Sequence, residues 1–165
     1  MKHSRSDREF NRAYISMHDM EKCVEYLKHA QSAYFSETYA IARGLITAAV
    51  ICYARPFSNN ADHPSAFPNP SFRSKHLSAS ELELHNHLLA LRDEVIAHSD
   101  AERNPVSANM YSDRGWVASS RLYDPLTEAD RLPAFLALAE KAKGIFASGT
   151  MSAARKGAEE SGVAP

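Results

Sequence analysis

Arg92, Asp93 and His98 are the residues whose types and spacing could do chemistry, in the stretch LRDEVIAHSD. A guanidinium offers phosphate oxygens a rigid fork of donors. An imidazole titrates near neutrality and serves as proton acceptor or donor. Cleavage of RNA by its own 2′-hydroxyl needs a base, an acid and a stabiliser of negative charge on the phosphate. One chain carries one such arginine and one such histidine in this stretch, whereas a two-fold dimer places two of each in a shared cleft. Asp93 would orient Arg92 or His98 of either chain; a solvated helix position is an equal reading of it.

LRDEVIAHSD reads as the last turns of a third helix. At about 100° per residue from Arg92, Leu82, Leu89 and Ile96 lie to one side and Leu84, Leu88, Leu91 and Val95 to the other. Glu83, Asn86, Ala90, Glu94 and Ala97 fall on the opposite face. Arg92 therefore lies near the middle of an apolar arc, with His85 in line with it one heptad earlier and His98 at the edge. An unpaired buried guanidinium is very costly. Arg92 must be ion-paired, with Asp19 or Glu37 as structural partners, or face a cleft or a second subunit. The carbonyl end of a helix, which favours a cation, alone explains a histidine like His98 more often than catalysis does.

The elements that must position these residues follow from periodicity. Asp7 to about Ala33 is amphipathic, with Phe10, Tyr14, Met17, Val24 and Leu27 at helical steps. Ser36 is the expected cap of a second helix, apolar almost all round, that Pro56 stops. Its small residues Ala40, Gly44, Ala48 and Cys52 would admit a close neighbour. Residues 58–79 read as a long loop, and Ser80 with Glu83 fits a capping box that opens the third helix, running to about His98. Alternation from 104 to 124 around Ser112-Asp113-Arg114-Gly115 predicts a β-hairpin. Pro125-Leu126-Thr127 then leads into a fourth helix, Glu128 to Phe146, ended by Ser148-Gly149. The expected fold is mainly all-α: a four- to five-helix antiparallel bundle with a β-hairpin insertion between the third and fourth helices. Residues 1–147 would form this single domain and 148–165 a flexible C-terminal tail.

Composition narrows the function classes. With 165 residues, 44% apolar and 24% charged, the chain has the makeup of one soluble globular domain. A formal net charge of -1 provides no bulk attraction to nucleic acid or anionic membranes, so any RNA contact must be local. Cys23 and Cys52 fall inside apolar helical patterns, as buried thiols of a reducing compartment do. The N-terminal MKHSRSDREF has no apolar signal region, and the apolar run Ile41 to Ala54 is interrupted by Arg43 and short for a bilayer. The expectation is a cytoplasmic protein with no membrane segment.

RDEVIAH, Arg92 to His98, resembles the signature of the HEPN superfamily of helical bundles: an arginine, a polar residue, and a histidine a few positions later near the end of a bundle helix. The following AHSD is similar to HEPN-like proteins of bacterial defence and toxin systems. The resemblance implies a homodimeric four- or five-helix domain and, in catalytic members, a metal-independent endoribonuclease without cofactor, acting in a toxin–antitoxin or phage-defence setting with a cognate antitoxin protein. Arg92, His98 and Asp93 would be its catalytic residues. The same resemblance also covers non-catalytic modules that bind a nucleotide or a partner protein.

Other residues have weaker patterns. Arg55, at the end of the second helix, would reach a substrate phosphate or satisfy the helix's last carbonyls. His85 would join Arg92 in binding substrate. Arg43 in its apolar helix suggests a pair with a buried acid. His85 and His87 point to different faces and cannot chelate one metal together. His18, His85 and a loop histidine, His63 or His76, would have to converge to make a metal site, and no metal is expected. Arg114, Trp116 and Arg121 on the hairpin suit either base stacking or packing of Trp116 on the bundle.

Overall fold

A computed structural model of the chain describes residues 5–58, 69–93, 106–112, 115–120, 123–160 and 162. Two long helices set its frame, α1 (Arg5–Phe35) and α5 (Leu132–Glu160). At 1.5 Å per residue they are about 46 and about 44 Å long. They run antiparallel. Ser6 at the start of α1 donates to Glu160 at the end of α5 at 2.6 Å, and Lys28 pairs with Glu140 at 3.3 Å. α5 thus continues past Ser148-Gly149, the expected stop, and its hydroxyls at Ser148 and Thr150 bond back to the carbonyls of Gly144 and Phe146. The segment expected as a tail is helical through Glu160 and buries Ala153.

α2 (Tyr39–Ala54) folds back on α1 through a tight turn. Glu37 takes a left-handed conformation there, φ 57. Its N–H bonds to Tyr34 and that of Thr38 to Ala33, the pattern that closes a helix end. The Thr38 hydroxyl donates to the same Ala33 carbonyl at 2.9 Å, so Thr38 precedes α2 without capping it by its side chain. The expected cap, Ser36, lies in this turn, two residues before Thr38, and does not cap α2. After Ala54 the chain tightens into a 3-10 turn, Arg55–Phe57, with Pro56 inside it.

Residues expected as loop hold a short helix, α3 (Asn69–His76); residues 59–68 lie outside the described residues. α4 (Ala79–Ala90) follows. Its capping box is Ser78 with Glu81, not Ser80 with Glu83: Ser78 Oγ accepts from Glu81 N and Glu81 Oε2 accepts from Ser78 N at 2.8 Å. Lys141 of α5 holds both oxygens of Glu81 at 2.8 Å, which selects that register. A 3-10 turn, Pro125–Arg131, leads into α5, and Asp124 caps it by accepting from Leu126 N at 3.0 Å.

The expected β-hairpin insertion between a third and a fourth helix is corrected. The bundle is all-α. Among residues whose side chains the structure describes, none belongs to a strand. The ladder that is described, β1 (Val106–Ser112) antiparallel to β2 (Gly115–Ser120), follows the fourth helix and is a sheet of those two strands alone. The helix α3 that shifts the count was hidden in a stretch rich in Pro, Ser and Asn.

The core runs along α1, α2 and α5. α1 contributes Ala13, Met20, Cys23, Val24, Leu27 and Ala30. Tyr14 and Phe10, expected on that face, stack on each other toward solvent, with Tyr14 43% exposed. α2 buries Ala42, Ile46, Ala49, Val50 and Tyr53. Of its small-residue stripe, Ala40 and Gly44 are exposed, Ala48 is half-buried and Cys52 is buried, and a Cβ on Gly44 would touch nothing within 4 Å. Tyr39–Phe57 is, among the described residues, long and apolar enough to cross a membrane, at mean hydropathy 1.3, yet half of it is buried in the bundle as a core helix is.

Two outcomes test these local assignments. Ser78→Ala should lower unfolding free energy in urea by about 1 kcal/mol, while Ser80→Ala stays within about 0.5 kcal/mol. Glu37→Gly should raise it by about 1 kcal/mol, because an L side chain is strained at that backbone angle.

Candidate functional site

α4 carries the residues that the sequence singles out, and the fold sends them in different directions. Leu88 and Leu91 face the core, each 1% exposed. After Ala90 the helix continues as a π turn over residues 91–93, a deviation often found at functional sites. Arg92 lies on this turn. Its side chain is 36% exposed, and its guanidinium donates through Nη1 to Asp93 Oδ1. The expected demand for a partner is thus met by the adjacent residue, neither by Asp19 nor by Glu37. Asp93 is itself 58% exposed, which leaves carboxylate surface for another donor. His98 lies outside the described residues, as does the end of the helix expected to carry it.

His85 is placed in the core and is fully buried. Its ring meets those of Tyr53, Phe57 and Phe72 at 5.8, 4.8 and 5.6 Å. Tyr53 Oη and His85 Nδ1 lie 2.9 Å apart. Burial pushes the His85 pKa down to about 4, with the charge of Arg73 adding to the shift. Burial likewise pushes the Tyr53 phenol up. Both groups are neutral at pH 7. The expected role of His85 beside Arg92 in substrate binding has no access route in this arrangement: the histidine is a polar member of the aromatic core.

Arg55 also has a structural partner. Its Nη1 donates to Asp19 Oδ1 at 2.6 Å, and Asp19 is only 5% exposed. Burial raises the Asp19 pKa even against the lowering effect of Arg55. Arg55 therefore neutralises a carboxylate inside the bundle, and satisfies no terminal carbonyl of α2. Arg43, expected beside a buried acid, instead forms a two-point pair at the surface: Nε and Nη2 donate to Asp124 Oδ1 and Oδ2, both at 2.9 Å. That pair holds the Asp124 carboxyl below its usual range.

The thiols of Cys23 and Cys52 are buried, and burial raises both pKa values, which keeps them protonated and unreactive. His18 is on the exposed side of α1, 2.8 Å from Glu21, far in kind from the buried setting of His85. Among the described residues, no group of three His, Cys, Asp or Glu side chains is arranged to hold a metal ion. His63, Arg114 and Arg121 lie outside the described residues.

Sequence reasoning missed Glu128. It is 5% exposed and accepts from His87 Nε2 at 2.9 Å and from Arg131 Nη1 at 3.0 Å. An acidic residue near the start of a helix reads as a dipole partner, so the pattern alone gave no sign of burial. Its spacing of three from Arg131 was the available signal.

Comparisons with protein-family models, with curated proteins and with solved structures found no match.

The buried imidazole makes a pH prediction. The folded pKa of about 4 lies below the ordinary histidine value near 6.5. The unfolded chain therefore takes up a proton first as pH falls. Stability from this group is complete above about pH 6.5 and is lost as pH falls toward 4, by about 3 kcal/mol in all. Urea titrations from pH 7 to 4 should show the wild type losing that much more than His85→Gln. Parallel pH profiles would contradict the assignment.

Proposed function

We propose that the chain is a HEPN-like domain acting as a metal-independent endoribonuclease, in which Arg92 binds the scissile phosphate and His98 transfers the proton. The observation that carries this reading is Arg92 itself: a part-exposed guanidinium on the π turn that follows α4, steadied by Asp93. The rest of α4 is anchored in the core at Leu88 and Leu91, so the turn is presented by a rigid element.

In this reaction His98 takes the proton of the 2′-hydroxyl. The 2′-oxygen attacks phosphorus, the bond to the 5′-oxygen breaks, and a second histidine protonates the leaving oxygen. The products are a 2′,3′-cyclic phosphate and a 5′-hydroxyl. Arg92 donates to the non-bridging oxygens as negative charge builds on them. Asp93 limits the rotamers open to Arg92 and keeps its fork aimed. The second histidine and arginine come from the partner in a two-fold homodimer. The setting is cytoplasmic, within a toxin–antitoxin or defence system, with an antitoxin protein as the natural restraint.

His98→Ala should leave the fold intact and lower cleavage of a mixed RNA pool by roughly 10²–10⁴-fold. Arg92→Ala should abolish it, and Arg92→Lys should recover little, since an ammonium lacks the fork. Wild-type cleavage should survive EDTA and leave 2′,3′-cyclic phosphate ends, and light scattering at tens of micromolar should report a dimer. Equal cleavage by wild type and His98→Ala would end the catalytic reading. A wild type that cuts no RNA but binds a nucleotide or protein tightly would replace it with a non-catalytic binding module of the same fold.

A further inference from the structure

A second polar centre lies on another face of α4. Glu83, Leu84 and His87 of that helix stand across a cleft of about 340 Å³ from Arg131 and Ala134 at the start of α5. That volume lies within the usual range for small-molecule sites. Glu128 contacts both walls of the cleft, at His87 and at Arg131. Its Oε2 receives His87 Nε2 and Arg131 Nη1, and Tyr123 Oη donates to its Oε1 at 3.5 Å.

This arrangement fixes what the cleft offers. A carboxylate as close as Glu128 requires a proton on His87 Nε2. Arg131 Nη1, 3.4 Å from that nitrogen, is also a donor and cannot compete for it. The charge of Arg131 is matched by Glu128 through Nη1, which leaves Nε and Nη2 as donors. Glu81, also on the cleft wall, is matched by Lys141. Glu83 is exposed and has no ion-pair partner among the described residues. It lies one helical turn before His87, so the two side chains are neighbours on one stripe. The cleft thus presents one uncompensated negative charge beside the His87 ring, a guanidinium opposite, and the apolar surfaces of Leu84 and Ala134 between.

We propose that this cleft binds a free α-amino acid as its zwitterion. The ammonium group donates to the Glu83 carboxylate, with the His87 ring beside it. The carboxylate accepts from Arg131, whose Glu128 contact holds the fork in place, and the side chain rests on Leu84 and Ala134. A simple amine would lose the Arg131 contact, and a simple carboxylic acid would meet Glu83 with like charge. The site is independent of the RNA chemistry assigned to Arg92 and His98.

The test is isothermal titration of the full chain with each of the twenty amino acids, and with the decarboxylated and deaminated analogues of the tightest one. One amino acid should bind at least tenfold more tightly than either analogue. Glu83→Gln, at an exposed position that leaves the fold alone, should weaken it about tenfold or more, and Arg131→Lys should weaken the amino acid but not the decarboxylated amine. Three results would overturn the proposal: no amino acid binding up to millimolar concentration, affinity indifferent to Glu83→Gln, or an amine that binds as well as its parent amino acid.

Discussion

The bundle depends on a cluster of aromatic rings around one neutral histidine. Tyr53 of α2, Phe57 of the following turn, Phe72 of α3, His85 of α4, and Phe135 and Phe146 of α5 touch in a continuous set. Centroid distances run from 4.8 Å for Phe57–Phe72 to 6.3 Å for Phe72–Phe146. Every helix after α1 contributes a ring. Short helices such as α3 and α4 have little stability alone, and this cluster is what they dock on. The imidazole is tolerated in it because Tyr53 supplies a hydrogen-bond partner and because burial keeps the ring uncharged. A charged ring at the same place would break the arrangement from its centre.

Around that core both carboxylates that are buried among the described residues, Asp19 and Glu128, are matched by arginine, and each match ties two elements together. Asp19 with Arg55 joins α1 to the end of α2. Glu128 with Arg131 and His87 joins the turn before α5 to α4. Breaking either pair from the arginine side would leave an uncompensated charge inside, which is far more costly than the pair is worth as a surface contact. Arg43 with Asp124 performs the same docking at the surface, where solvent weakens it.

α4 shows how one short helix serves separate ends. Its cap is fixed from outside, by Lys141 on Glu81. His85 points inward to the rings, His87 to Glu128, and Arg92 to Asp93 on the π turn that follows. A rigid inner face makes the two outer faces usable, because a side chain can hold a defined geometry only if its backbone does. The phosphate chemistry proposed for one outer face and the ligand cleft proposed on the other would share this support without sharing residues.

The sequence by itself determined the mainly all-α class, the long amphipathic first helix, the apolar α2 with Pro56 near its end, and the burial of Val24, Leu27, Cys23 and Cys52. Those follow from local periodicity and from the backbone chemistry of proline, which act within a few residues. It also showed that His85 and His87 face apart. Only the tertiary structure decided between Ser78 and Ser80 as the cap of α4, since both precede a glutamate by three and Lys141 lies 60 positions from Glu81. Only it could extend α5 across Ser148-Gly149, because Ala153 and Glu160 gain surface and a partner from the far end of α1. The same holds for the partners of Arg43, Arg55 and Glu128, and for the inward turn of His85. Periodicity tells which face of a helix a residue occupies. What waits on that face is set by chain segments tens of residues away, and no local pattern encodes them.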